Sequence, residues 1–311
     1  MKNYPKKSPT LPRPFLKWAG GKNQLLNEFN KRLPDFIKKY KTIDRYVEPF
    51  LGGGAMFFFL KRNYLVKEAF LFDINPDLIL AYQVIKDNHK DLIIQLEEIE
   101  SSHLEKTKKE RKIHYYKIRS IYNQQMKHFD YDNINDDGIN RTAYLIFLNK
   151  TCFNGLFRLN KKGEFNVPYG RYDNPKIFNK ENIFEINQAL RNVKIYHADF
   201  TESEIFINKK TFVYFDPPYR PLNTTSNFTN YAKNGFSDYE QEVLAKFFVK
   251  MDKRGACLML SNSDPKNVNP YDRFFDQLYG DFNMERIPAK RNINRNILKR
   301  GQINELIIRN F

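Results

Sequence analysis

The sequence predicts an α/β fold, a mostly parallel sheet interrupted by a second, smaller domain. Three observations carry that expectation. Strand-like apolar runs alternate with amphipathic segments through the first third of the 311 residues. Similar runs return after about residue 190. The stretch between, from about 98 to 190, is highly charged and then loop-rich, far longer than an ordinary connection. Such long connections are usually functional.

Taken in order, the first third reads as a helix over about 23–39, a strand over 44–48, a glycine turn, a helix over about 54–62, a strand over 68–73 and a helix over about 76–97. Alternation of this kind builds parallel sheets. The insert opens with KTKKERKIHYYKIRSIYNQQMK, helical in pattern, and then interleaves Asn, Gly, Phe and Tyr with Arg and Lys. Strands follow at 193–199, 211–216 and 256–262, a helix at about 237–252, and a closing strand at 303–310. The expected division is a basic arm over 1–13, a sheet domain over 14–85 and 191–311, and an insert over 86–190.

Composition narrows the function. Fifty-two Lys and Arg against thirty-six Asp and Glu give a net charge of +16, which suits a polyanionic partner, nucleic acid above all. A general bias toward Lys, Asn and Ile would give the same charge. No apolar run reaches the length of a membrane span, and the basic, proline-rich start has no apolar signal region, so a cytoplasmic protein is expected. Cys152 and Cys257 lack ligand spacing, as do His89, His103, His114, His128 and His197. No metal is expected, and there is no serine or cysteine nucleophile elbow.

Two glycine-bearing segments suit a nucleoside ligand, the alternative for the first being a tight turn followed by a helix cap at Asp73. YVEPFLGGG places Gly52, Gly53 and Gly54 between a strand and a helix, where the backbone must turn and approach a ligand closely. Asp73 ends the next strand, where an acid can accept from ribose hydroxyls. Neither GxGxxG nor a phosphate loop is present, so pyrophosphate is not required. FLKWAGGK sets the sole tryptophan, Trp18, beside Ala19, Gly20, Gly21 and Lys22. It reads either as a lid whose lysine meets a carboxylate or as a packed indole at a helix start.

The most informative stretch is FVYFDPPYRPL, residues 212–222. A strand ends in Asp216, Pro217, Pro218 and Tyr219. The prolines fix φ, lack N–H groups and keep the preceding residue extended. The turn is therefore a rigid stub of acceptors followed by a flat ring. Such a stub suits an exocyclic amine on a planar base. Hydrogen bonds from its two protons to Asp216 and the Pro217 carbonyl would return the nitrogen lone pair to a tetrahedral orbital, while Tyr219 stacks on the base. Orientation and preorganised acceptors would supply the catalysis.

FLKWAGGK, EPFLGGG, FNGLFRLN, EFNVPYGRY, DPPYRPLNTTSNFTNY and LSNS occur in the order found in the Dam-type DNA adenine-N6 methyltransferases, the D12 class of the alpha group. The chain resembles them from about Pro14 to Ile308. The resemblance implies a Rossmann-like, S-adenosylmethionine-dependent methyltransferase sheet with an inserted, mainly helical target-recognition domain over 86–190. It implies cofactor contacts from Trp18, Ala19, Gly20, Gly21, Lys22, Glu48, Pro49, Phe50, Gly52, Gly53, Gly54, Asp73, Asp199, Phe200 and Asp216. Catalysis falls to Asp216, Pro217, Pro218 and Tyr219, acting on a base flipped out of duplex DNA. The similar enzymes act on the adenine of GATC in duplex DNA, and the setting is left open between restriction–modification, a phage and a host's own mismatch and replication signalling.

For the DNA itself, Lys17, Phe153, Asn154, Leu156 and Arg158 form one expected contact group. Arg158 suits bidentate reading of guanine, or alternatively a phosphate. Asn166, Pro168, Tyr169, Arg171 and Tyr172 form a second finger. Asn227 and Tyr231 lie in a polar stretch expected to cover the flipped base, and Lys290, Arg291, Arg295, Lys299 and Arg300 in a phosphate-tracking loop. The alternatives are the same chemistry at another DNA sequence, on RNA adenine, cytosine N4 or a protein amide, or an inactive DNA-binding relative. A monomer is the default, a dimer the alternative. The 104–134 segment has no assigned role.

Overall fold

The computed structural model describes residues 11–18, 20, 22, 24–126, 128–131, 134–220, 236–290 and 302–311, with the backbone alone at 290 and 302. Among these, the chain runs α1 (Leu26–Lys31), α2 (Asp35–Tyr40), β1 (Thr42–Glu48), α3 (Ala55–Asn63), β2 (Leu65–Asp73), α4 (Pro76–Asp87) and α5 (His89–Leu104). It continues with α6 (Lys108–Gln125), α7 (Asp136–Thr151), α8 (Lys180–Ala189), β3 (Val193–His197) and β4 (Thr211–Phe215). It closes with α9 (Asp238–Asp252), β5 (Cys257–Ser263), α10 (Phe274–Leu278), β6 (Asn283–Lys290) and β7 (Gln302–Arg309). No helix among the described residues is long and apolar enough to cross a membrane.

Packing divides the chain into a helical unit (Met1–Gly21, Gly52–Arg62, Pro76–Arg191) and a sheet unit (Lys22–Leu51, Asn63–Asn75, Asn192–Phe311). These bounds follow contacts, so they differ from the functional bounds read from sequence. In particular, α4 packs with α7 and α8 and so belongs to the helical unit.

The sheet unit is a seven-stranded sheet of order β3-β2-β1-β4-β5-β7-β6. Strands β1 to β5 are parallel to one another. Strand β7 runs antiparallel between β5 and β6. All five residues of β4 are buried, the continuous apolar pattern of a parallel strand covered on both faces. Val213, Phe215, Leu244, Phe248, Leu258, Leu260 and Leu306 lie in one core cluster of this unit. The helix expected over 23–39 is two helices, because Pro34 has no N–H and caps α2 from an extended conformation (ψ 138°). Strand β6 was not expected; it pairs with β7 along its whole length.

In the helical unit, the helix expected over 76–97 breaks at Asn88, whose backbone leaves the helical region (φ −127°, ψ 30°). Helix α6 is the charged segment. A Thr107–Glu110 capping box starts it, and Tyr115, Ile118 and Tyr122 are its buried residues. That apolar stripe explains why so polar a sequence holds a helix. Its side chains also bond the segment around Phe165. The Tyr115 hydroxyl donates to the Val167 carbonyl at 2.8 Å, and the Asn123 side chain exchanges hydrogen bonds with the Phe165 backbone (2.8 and 3.1 Å).

Helices α4, α6 and α7 share one buried ion pair. Arg141 is 1% exposed and meets both oxygens of Asp77, at 2.6 and 3.1 Å. The hydroxyls of Tyr122 and Tyr131 donate to the same carboxylate at 2.9 and 3.0 Å. Tyr122 and Phe129 also face the guanidinium with their rings. Removing one partner strands a desolvated charge. Arg141→Met should destabilise the protein by about 3–5 kcal/mol in urea unfolding, whereas an unchanged midpoint would show that the pair is dispensable.

Candidate active site

Strand order reverses between β1 and β4, since β2 and β3 extend to one side and β5 to the other. Ligands of such sheets bind beyond the carboxyl ends of the strands at the point of reversal. The sheet unit places four acids there. Glu48 is the last residue of β1 and Asp73 the last of β2. Asp199 follows β3 by two residues, and Asp216 follows β4 directly.

Each acid is held. Glu48 is buried and accepts from the Tyr46 hydroxyl at 2.8 Å. Asp73 accepts from the Asn75 N–H at 2.9 Å. Asp199 caps a short 3₁₀ turn, Phe200–Phe206, accepting from the Thr201 N–H and hydroxyl. Phe200 is buried there and stacks on Phe50, with ring centroids 5.3 Å apart.

Asp216 is the most constrained. Lys22 Nζ lies 2.7 Å from its Oδ1, and Lys22 is 4% exposed against 22% for Asp216. The Ser261 hydroxyl donates to the same Oδ1 at 3.2 Å, and its oxygen lies 2.9 Å from that of buried Tyr214. Burial raises the Asp216 carboxyl above the ordinary 3.8, although Lys22 and Ser261 pull it down. The turn beyond is tied as well. Buried Gln241 donates to the Pro218 carbonyl at 3.1 Å and is itself held by Asn262. The Tyr219 hydroxyl donates to Glu305 on β7 at 2.5 Å, and Lys22 Nζ sits 4.1 Å from the centre of the Tyr219 ring. Arg220 closes on both oxygens of Asp238 and on Asp272. Sequence reading missed Gln241 and Glu305, and took LSNS as a motif without giving Ser261 a role.

The helical unit brings other expected residues together. Trp18 packs on the glycine turn; a Cβ on Gly52 (φ 47°) would lie 3.0 Å from the indole, which is why glycine stands there. The same indole stacks on Phe157 at 5.0 Å. Fully buried Asn149 bonds both the N–H and the carbonyl of Lys17 (2.8 and 2.9 Å), and reaches the Gly155 carbonyl at 3.2 Å. It is a positioning residue that sequence gave no signal for. Phe153 is 52% exposed, at a turn where Asn154 takes a left-handed φ of 58°.

The two expected fingers are one paired structure. The Phe153 N–H donates to Pro168 and the Gly170 N–H to Thr151, each at 2.8 Å. A Cβ at Gly170 would press within 2.7 Å of the Cys152 carbonyl. Arg158 donates to the Asn166 side chain at 2.7 Å. Pro168 and Arg171 are exposed, Leu156, Tyr169 and Tyr172 half-buried, and Lys17 Nζ lies 5.5 Å from the Tyr172 ring centre. Ala19, Gly21, Asn227, Tyr231, Arg291, Arg295, Lys299 and Arg300, and the side chain of Lys290, lie outside the described residues. No group of three or more metal-binding side chains occurs among those described.

Comparison with known proteins identifies the family. A family model for D12 class N6 adenine-specific DNA methyltransferases matches residues 18–293. The type II methyltransferase M.MjaIII of Methanocaldococcus jannaschii is 48% identical over 301 residues, 96% of this chain and 99% of that protein. The type II methyltransferase M1.LlaDCHI of Lactococcus lactis subsp. cremoris is 39% identical over 303 residues, 96% of this chain and 95% of that one. A DNA adenine methylase of Vibrio cholerae is 35% identical over 296 residues, 95% of each chain.

The Lys22–Asp216 pair makes its own prediction. Lys22→Met leaves a partly buried carboxylate without its cation and should lower stability by about 1–3 kcal/mol in urea. Adding Asp216→Asn should recover most of the loss, because the stranded charge is then gone; equal instability of the double variant would refute the coupling.

Proposed function

The chain belongs to the D12 class of N6 adenine-specific DNA methyltransferases, and we propose that it works through the Asp216–Tyr219 turn at the carboxyl end of β4, on a flipped-out adenine within GATC. As a member it is an enzyme that transfers a methyl group from S-adenosylmethionine to the N6 of adenine in DNA.

The observation that carries the proposal is the state of Asp216. Both described donors to it, Lys22 and Ser261, use Oδ1. Oδ2 then serves as the acceptor for one proton of the exocyclic amine, and the Pro217 carbonyl for the other. Two hydrogen bonds drawn from that nitrogen favour its tetrahedral form and restore its lone pair. The Tyr219 ring stacks on the base and fixes its plane. A base so held must leave the duplex stack.

The sheet unit's acid row fits S-adenosylmethionine, a ligand with a cationic sulfonium, an ammonium group, ribose hydroxyls and an adenine. When bound, it supplies an electrophilic methyl group. Asp73 is the acceptor for the ribose hydroxyls, and Asp199 with Phe200 flanks the cofactor's adenine. Lys22 and Glu48, with Pro49 and Phe50, serve the methionine end. In the helical unit, Trp18 and the turn at Gly52–Gly54 are cofactor contacts on the same reading, and 86–190 is the target-recognition region.

Within the proposed site, Arg158 is suited to read a guanine. Asn166 holds the Arg158 guanidinium in one plane, the condition for bidentate reading of guanine. Phe153, Asn154 and Leu156 meet the stack, and Lys17, Asn166, Pro168, Tyr169, Arg171 and Tyr172 line the DNA. Restriction–modification is the setting suggested by relatives named as type II methyltransferases.

The test is methyl transfer from labelled S-adenosylmethionine to three duplexes: GATC, GATC methylated at N6 on both strands, and a scrambled tetranucleotide. Label on the first alone is expected, and Asp216→Ala should abolish it. Label on the scrambled duplex would overturn GATC, and activity in Asp216→Ala would overturn the role of the turn.

The raised Asp216 carboxyl gives a second test. The ionised form is the working acceptor, so the single-turnover rate should fall as pH is lowered through a value above 3.8. Stability moves the opposite way. An acid raised on folding adds stability that is full below its unfolded value and lost as pH rises through the folded one. An acid limb at or below 3.8 would contradict the assignment.

A further inference from the structure

The Tyr219 side chain is fixed at three places in the sheet unit. Its backbone follows two prolines, which restrict the turn. Lys22 Nζ stands 4.1 Å from the ring centre and is pinned by its 2.7 Å pair with Asp216. The hydroxyl, the atom farthest from the backbone, donates to Glu305 Oε2 at 2.5 Å. A hydrogen bond at the far tip has the greatest leverage on the direction of a ring.

Glu305 is itself set rigidly. It lies on β7 opposite Ser263 of β5 and Ile287 of β6, paired on both sides. Burial raises its carboxyl, with Lys22 and the Tyr219 hydroxyl opposing the rise and Asp216 adding to it. A half-buried acid on a strand paired on both sides loses part of its hydration, a cost that a hydrogen-bond partner offsets. The one described hydrogen-bond partner of its side chain is the Tyr219 hydroxyl.

We propose that Glu305 is a positioning residue for methyl transfer, holding the Tyr219 ring by its hydroxyl in the plane that receives the target adenine. The inference rests on the reading of Tyr219 as the stacking partner given above. A ring tethered only by its Cβ would swing between rotamers, and the adenine would be presented at a spread of angles. The tether acts on the reacting complex rather than on ligand capture, so its loss falls on the rate and not on affinity. The carboxylate also draws on the phenol proton and enriches the ring, which suits the positive charge that develops on the adenine amine during transfer.

The test is a double-mutant cycle on the full chain, read by single-turnover methylation of a GATC duplex and by separate titrations of duplex and S-adenosylmethionine. Glu305→Ala and Tyr219→Phe should each slow transfer about tenfold while both dissociation constants stay within about twofold. The double variant should be no slower than the worse single one. Glu305→Gln, whose amide oxygen still accepts, should recover most of the rate. Losses that multiply, to about a hundredfold in the double variant, would overturn the proposal, as would weaker binding in place of a slower rate. Should Glu305→Ala fail to fold, Tyr219→Phe decides alone, since it removes one oxygen: a full rate refutes the tether. That result leaves the site reading intact, whereas an active Asp216→Ala would remove the site reading itself.

Discussion

One carboxylate at the end of the central strand organises the site. Asp216 is partly withdrawn from water at the end of β4, and that desolvation alone would drive it toward its neutral form. Lys22 supplies the opposing charge and Ser261 a hydrogen bond, both on the same oxygen. The two donors come from distant parts of the chain, one ahead of α1 and the other from β5. Their convergence is what the sheet provides: neighbouring strands β4 and β5 bring Ser261 beside Asp216, and Tyr214 backs the serine from β4.

The lysine has two tasks that support each other. A cation over the face of Tyr219 gains from the ring quadrupole. The same ammonium neutralises the neighbouring acid. The turn is thus held by mutual contacts rather than by its prolines alone, and Gln241 fixes the Pro218 carbonyl from α9.

Much of this was legible in the sequence, for definable reasons. Strands β1 to β5 are short apolar runs with clear ends, so their positions could be read from pattern, and the Asp-Pro-Pro-Tyr turn is dictated by local backbone chemistry. What escaped reading depends on distance. Glu305 lies 86 residues from Tyr219, and nothing local in NELIIR distinguishes an acid facing the site from one facing solvent. Asn149 resembles any polar residue in a helix, yet it is fully buried and ties the Lys17 backbone to the Gly155 turn. The breaks at Pro34 and Asn88 sit inside apolar periodicity that continues past them, so the period suggested one helix where the backbone makes two. In α6 the many charges around Tyr115, Ile118 and Tyr122 masked the buried stripe.

The order of the last strands bears on how the molecule is made. Strand β7 sits between β5 and β6, although β6 precedes it in the chain. During synthesis, which proceeds from the N-terminus, β6 emerges before the strand it must pair with. The edge of the sheet therefore closes only when β7 has left the ribosome, and Glu305 arrives with it. A nascent chain holding everything through β6 has Asp216, Lys22 and Ser261 but no tether for Tyr219. The Tyr219–Glu305 contact is therefore made only after the residues of the Lys22–Asp216 pair have been synthesised.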